Sequence, residues 1–353
     1  MTDPIRTPSS EGRAAADAHR GLAPRRSADA PSDPFRRRVG SRHAVGAAIL
    51  SVALAWLSVP AAAQDRADAI RLPDSSRFPE SVTSLADGTL FVSSIADGGV
   101  LKITGNGAVT TAFLKPGDHG TRSTFGLLAD AARGLLWVAS NDATALGATG
   151  PTTTEGGWVK AFDLATGALE RSVRLPGDRT LANDFAVGKD GTLYVTDTFA
   201  PRILRLTPGA TTLDVFVENE ALKKGLDGIA FGADGNLYVN TFLGGELFRI
   251  EVKDGRAGAV RQLGTSRSLT FPDGLRAYGD GFLMVEGSGA LSRVTVNGDV
   301  ARIDTLRQFA GPTGLTAVGG RIWVAEGQLG VVAEVAKGNS AMPSFHLRAA
   351  DAE

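Results

Sequence analysis

The chain has 353 residues and a formal net charge of -1, long enough for one large all-β domain or two ordinary ones. The nine Arg and five acidic residues of the first 63 positions leave 28 basic against 33 acidic side chains in the remainder, a balance that argues against a nucleic-acid partner. With 44 Gly and no Cys, the composition suits a turn-rich soluble protein and excludes disulfides, thiolate metal sites and a Cys nucleophile.

Residues 1–43 are rich in Pro, Ala, Ser and Arg and lack apolar periodicity, so they are expected to form a disordered extension. Arg36-Arg37-Arg38 and Arg42 then precede an apolar run from Ala44 to Val59 and the small-residue stretch Pro60-Ala61-Ala62-Ala63-Gln64. These are the charged, apolar and cleavage parts of a secretory signal. Residues 44–63 are therefore expected to direct export to the periplasm or beyond, with cleavage after Ala63. The alternative is an uncleaved anchor, because the run approaches the roughly 20 residues that span a bilayer.

Residues 64–353 repeat one unit six times: a turn, an apolar strand, a Gly-centred hairpin and a second strand of β-branched and aromatic residues. The clearest copies are Asn183-Asp184-Phe185-Ala186 before Asp190-Gly191-Thr192-Leu193-Tyr194-Val195, and Asp227-Gly228-Ile229-Ala230 before Asp234-Gly235-Asn236-Leu237-Tyr238-Val239. Asp-Gly and Gly-Gly supply the positive φ of two-residue hairpins. Third and fourth strands follow, as at Val100 to Thr104 and Thr110 to Leu114. The pattern predicts an all-β, six-bladed β-propeller with four-stranded blades. Ala69 to Pro73 and Phe345 to Arg348 compete for the strand that closes the ring.

The residue before each inner strand should face the channel mouth: Glu80, Phe125, Asn183, Asp227, Asp273 and Thr313. Four offer oxygen ligands, three of them carboxylates, and hard divalent cations favour such a set, Ca²⁺ above all, with Zn²⁺, Mg²⁺ or Mn²⁺ as alternatives. Carboxylates crowded in one channel repel unless a cation neutralises them. Loops joining second and third strands open on the same face, giving a wider ring of Ser94, Asn141, Asp197, Thr241, Glu286 and Glu326; the longest, 141–157, could cover the mouth. His119 and His346 are the only histidines beyond the signal, which excludes a His-rich cluster.

The Asn183 and Asp227 segments quoted above are the most specific part of a resemblance, over about Phe78 to Lys337, to the senescence marker protein, gluconolactonase and luciferin-regenerating enzyme family. That resemblance implies a divalent metal held by Glu80, Asn183 and Asp227. The family's lactonases also carry an Asn-Asp pair in blade two, where Thr124-Phe125 stands here. The implied activity is metal-dependent hydrolysis of a small lactone or related ester, the cation polarising the carbonyl and acidifying a water, and Asp227 or Asp273 taking the proton. Thr124, Phe125, Asn141 and Thr313 are the candidate substrate contacts. The competing reading is a non-catalytic exported propeller that binds a protein or glycan on its open face. Oligomeric state is not legible.

Overall fold

Strands of Val, Leu, Ile and aromatic residues separated by Gly turns leave each small sheet apolar on both faces, so the sheets must stack against one another to bury them. The computed structural model describes residues 68–352. They form six sheets, of which blades one to four are antiparallel and joined in simple up-and-down order. This is the expected six-bladed propeller. The inner strands of blades one to six are Val82–Ser84, Ser123–Asp130, Ala182–Val187, Leu226–Phe231, Pro272–Tyr278 and Gly314–Val318. The signal segment and extension expected at 1–63 lie outside the described residues. Among the described residues no helix is long and apolar enough to cross a membrane.

The core lies between blades. Phe91, Val100 and Leu114 of blade one pack with Leu127, Leu136, Val138 and Phe162 of blade two, and Tyr238 and Leu247 of blade four pack with Leu275, Phe282 and Met284 of blade five. Blade five also carries a short fifth strand, Gly264–Thr265, parallel to the outer edge of Val300–Gln308.

Both candidates for closure are used. His346–Asp351 is the third strand of blade six, and Ala69–Arg71 pairs outside it, with Ile70 opposite Leu347. They are neighbours rather than rivals, and the two ends of the domain are hydrogen-bonded to each other.

The hairpins differ from two-residue turns in blades one, three and four. There Gly88, Gly191 and Gly235 are the fourth residue of a turn, each N–H donating back three residues, to Leu85, Gly188 and Gly232. The preceding Asp accepts the next backbone N–H, as Asp190 does from Thr192 at 3.0 Å. This is a type I turn closed by a left-handed Gly, and the side-chain cap explains why Asp precedes it. In blade five the turn is Gly279-Asp280, and Gly281 already pairs in the strand.

Candidate metal centre at the channel mouth

A break in the ladder builds the site. In blades two to five the pairing of the inner strand slips at Phe125-Gly126, Asn183-Asp184, Asp227-Gly228 and Asp273-Gly274. Such bulges kink a strand and re-aim its side chains. The residues that the repeat register singles out are thus the bulged ones.

A polar side chain of the second strand caps the inner-strand N–H next to the channel-facing residue, at the bulge in blades three and four and at the strand start in blade one. Ser93 Oγ accepts the Ser81 N–H at 2.8 Å, Thr196 Oγ1 accepts the Asp184 N–H at 3.0 Å, and Asn240 Oδ1 accepts the Gly228 N–H at 2.9 Å. Two of these side chains also reach the next blade. Thr196 Oγ1 donates to the Asp227 carbonyl at 2.8 Å, and Asn240 Nδ2 donates to the Asp273 carbonyl at 2.6 Å. Gly228 and Gly274 let the blades approach closely: a Cβ on Gly228 would stand 2.4 Å from the Asp273 carbonyl oxygen, and one on Gly274 2.9 Å from that of Thr313.

The result is a narrow pocket of about 170 Å³ lined by Glu80, Asp184, Asp227, Asp273, Arg276 and Thr313 among others. Glu80, Asp227 and Asp273, from blades one, four and five, are buried, with one carboxylate oxygen of each lying within 4.8 Å of the others. Asn183 joins them, its side chain acting to lower the Asp227 carboxyl and its Nδ2 donating to Thr198 Oγ1 at 2.9 Å. Glu80 Oε2 and Asn183 Oδ1 are buried without a hydrogen-bond partner, and buried oxygens of that kind are rarely left unsatisfied.

Burial, then the charges of Asp227 and Asp184, pushes the Glu80 carboxyl well above its usual range. Asp273 is likewise pushed well up, by burial and by Asp227 and Glu80. Asp227 rises to about 7, mainly through burial and the Asp184 charge. The nearest compensation is Arg276, whose guanidinium grips Asp184 with both nitrogens, Nη2 to Oδ1 at 3.0 Å. Asp184 and Arg276 went unrecognised in the sequence. The available signal was that Asp184 stands where blades two, four, five and six have Gly.

Thr313 lines the pocket, but its hydroxyl donates to the Pro79 carbonyl at 3.0 Å. Three other sequence candidates are placed elsewhere. Thr124 is fully buried, donating to the Gly99 carbonyl at 2.7 Å and accepting the Ser94 N–H. Phe125 belongs to the apolar core. Asn141 clamps Ala182, accepting its N–H at 2.9 Å and donating to its carbonyl at 2.7 Å. By register, with Leu127 opposite Val138 and Phe185 opposite Val195, the equivalent of Asp197 is Ser140, so Asn141 stands one place beyond the wider ring.

That ring is a set of struts. Ser140, Asp197, Glu286 and Glu326 accept backbone N–H groups of the segments leading into their own inner strands, from Arg122, Leu181, Thr270 and Ala310. Asp197, Glu286 and Glu326 are also paired with Arg202, Arg267 and Arg348. Loop 141–157 is pinned by Arg122, which pairs with Asp142 at 2.8 Å and donates to the carbonyls of Thr149 and Thr154.

Solved structures share this architecture. A gluconolactonase from Xanthomonas campestris is 19% identical with a TM-score of 0.58, covering 80% of this chain and 89% of its own. The Malassezia sympodialis allergen Mala s 1 is 13% identical with a TM-score of 0.61, covering 80% and 96%. Virginiamycin B lyase from Staphylococcus aureus is 18% identical with a TM-score of 0.54, covering 79% and 97%. No family model matches the chain, and no curated protein sequence matches it. The likeness expected from the sequence is therefore present at the level of the fold. A hydrolase, a lyase and an allergen on one fold leave the chemistry to the site itself.

Proposed function

We propose that the protein is a divalent-metal-dependent hydrolase of a lactone or related ester. The observation that carries this reading is the buried meeting of Glu80, Asp227 and Asp273 from three blades, beside the unpartnered oxygens of Glu80 and Asn183. The donor set fits a hard cation: all oxygen, anionic, and too crowded to remain ionised without a countercharge. Glu80, Asn183 and Asp227 would hold the ion, as the family resemblance implies. When bound, the ion supplies Lewis acidity to a carbonyl oxygen.

The chain's own residues do the rest. Thr196 and Asn240 fix the backbones of Asp227 and Asp273. Asp273, beside Asp227 but outside the implied ligand set, would take a proton from the attacking water through its carboxylate once a bound cation offsets the crowding that raises it. The pocket among these carboxylates is too narrow for an organic ligand to enter, so only the reacting carbonyl would approach it. Hydrolysis of a lactone panel by the full-length protein, with and without chelator and for Asp227→Ala, tests the reading. Activity that survives both chelator and substitution defeats it.

The small pocket and the committed polar groups around it also suit a purely structural ion in a binding propeller. That reading predicts stoichiometric metal and a chelator-sensitive Tm, with no turnover of any ester. Export, proposed on residues 36–64, is checked by N-terminal sequencing of the secreted protein.

A further inference from the structure

Phe242 and Phe271 lie on the blade-four and blade-five side of the mouth with ring centroids 5.1 Å apart and planes inclined by 31°. Phe271 is 45% exposed and the adjoining Leu243 74%. Chain connection and a backbone hydrogen bond tie the two rings to the segments that carry Asp273 and Asp227. Phe271 is joined through Pro272 to Asp273, and the Phe242 N–H donates at 2.7 Å to the carbonyl of Gly225, two residues before Asp227. Gly287 makes space for the pair: a Cβ there would stand 3.3 Å from that of Phe271 and 3.7 Å from the Phe242 ring.

The backbone makes the choice of Phe at 271 informative. Its φ is +56°, in the left-handed region, and the same corner in blades four and six is turned by Gly225 and Gly311. Blade one has the matching Phe78-Pro79-Glu80, with Phe78 at φ +52°. Phe78, however, is 2% exposed and packs on Phe345 with centroids 4.9 Å apart, so core burial offsets its strain. Phe271 has the same strain without that burial, and an observed outlier of this kind beside a candidate site points to use by a ligand.

We propose that Phe242, Leu243 and Phe271 form the subsite for the apolar part of the substrate, an alkyl chain or apolar ring attached to the lactone or ester group. This rests on the hydrolase reading. With the pocket too small to admit the organic portion, that portion must lie along the mouth, where Leu243 and Phe271 offer exposed apolar surface next to the segments of Asp227 and Asp273. A small polyhydroxylated lactone would leave both rings wet; an apolar substituent covers them.

The test is binding of unreactive analogues, γ-lactams with n-alkyl chains from ethyl to octyl, to the full-length protein by calorimetry. Wild type should bind about two- to fourfold tighter per added methylene. Phe271→Gly and Leu243→Ser should flatten that gradient, while the Tm of Phe271→Gly stays the same or rises because Gly relaxes the corner. No gradient in wild type, or one that survives in both variants, overturns the subsite. Hydrolysis of the matching γ-lactones is measured in parallel. A gradient without turnover removes the hydrolase reading and keeps an apolar ligand site; turnover without a gradient does the reverse.

Discussion

Blades two and five solve the same geometric problem with opposite side chains. Each bulges where its inner strand meets the mouth, yet blade five presents Asp273 to the channel, with Phe271 exposed just outside. Blade two turns Phe125 into the core and uses the polar groups of Thr124 and Asn141 to hold neighbouring backbone. The repeat therefore fixes where a side chain can be offered, and the individual blade decides whether it serves chemistry or packing.

The sharpest way to break this contrast is to exchange effects. Phe125→Ala should cost about 3–5 kcal/mol of stability and leave metal stoichiometry of the folded protein unchanged, by denaturant melting and metal analysis. Asp227→Asn should do the opposite, weakening metal binding by more than about 100-fold, the upper range for loss of a mere supporting partner. Equal metal loss in both variants would erase the distinction between the blades.

A second test uses protons. In the metal-free protein the carboxyls of Glu80 and Asp273 are held well above their usual range and Asp227 at about 7. The unfolded chain loses these protons from about pH 4 upward while the native state retains them, so this contribution to stability is full at low pH and is lost as pH rises to about 7. The Tm of metal-free wild type, compared with Asp227→Asn, should fall by about 5 °C or more between pH 5 and 8. A saturating divalent cation should abolish the difference.

The two clamping asparagines give a finer comparison. Asn141→Ala and Asn240→Ala should each cost about 1–3 kcal/mol, because each leaves buried backbone groups unpaired. Only Asn240→Ala, which releases the Asp273 carbonyl, should also loosen metal binding, about 10–100-fold. Matching metal affinities would show that Asn240 is no more than a strut. The smallest effect is expected at the strained corner, where Phe271→Gly should gain up to about 1 kcal/mol, read from the shift in denaturant midpoint.

The six-fold repeat and its channel-facing residues were legible because hairpin Gly positions and strand length are local properties. Glu80, Asn183, Asp227 and Asp273 were found by that register alone, and the structure brings them together. The rest depends on contacts across blades. Asp184 reads as a turn former, yet it grips Arg276, 92 residues away and two blades on. Thr196 and Asn240 look like ordinary strand residues until the bulge beside them leaves an N–H unpaired. Asn141 misled because Ser140 beside it holds the register place of Asp197, counted from Val138 opposite Leu127, and two adjacent polar residues at a strand end look alike in the sequence.

The closure of blade six has a consequence for the order of synthesis. Ala69–Arg71 is the first described strand to be made, and its only pairing partner, His346–Asp351, is the last. Throughout translation the early strand waits without a neighbour, and blade six lacks its third rung, an unpaired edge of the kind that invites association with other chains. The pairing of Ala69–Arg71 with His346–Asp351 therefore becomes available only once the whole domain has been made.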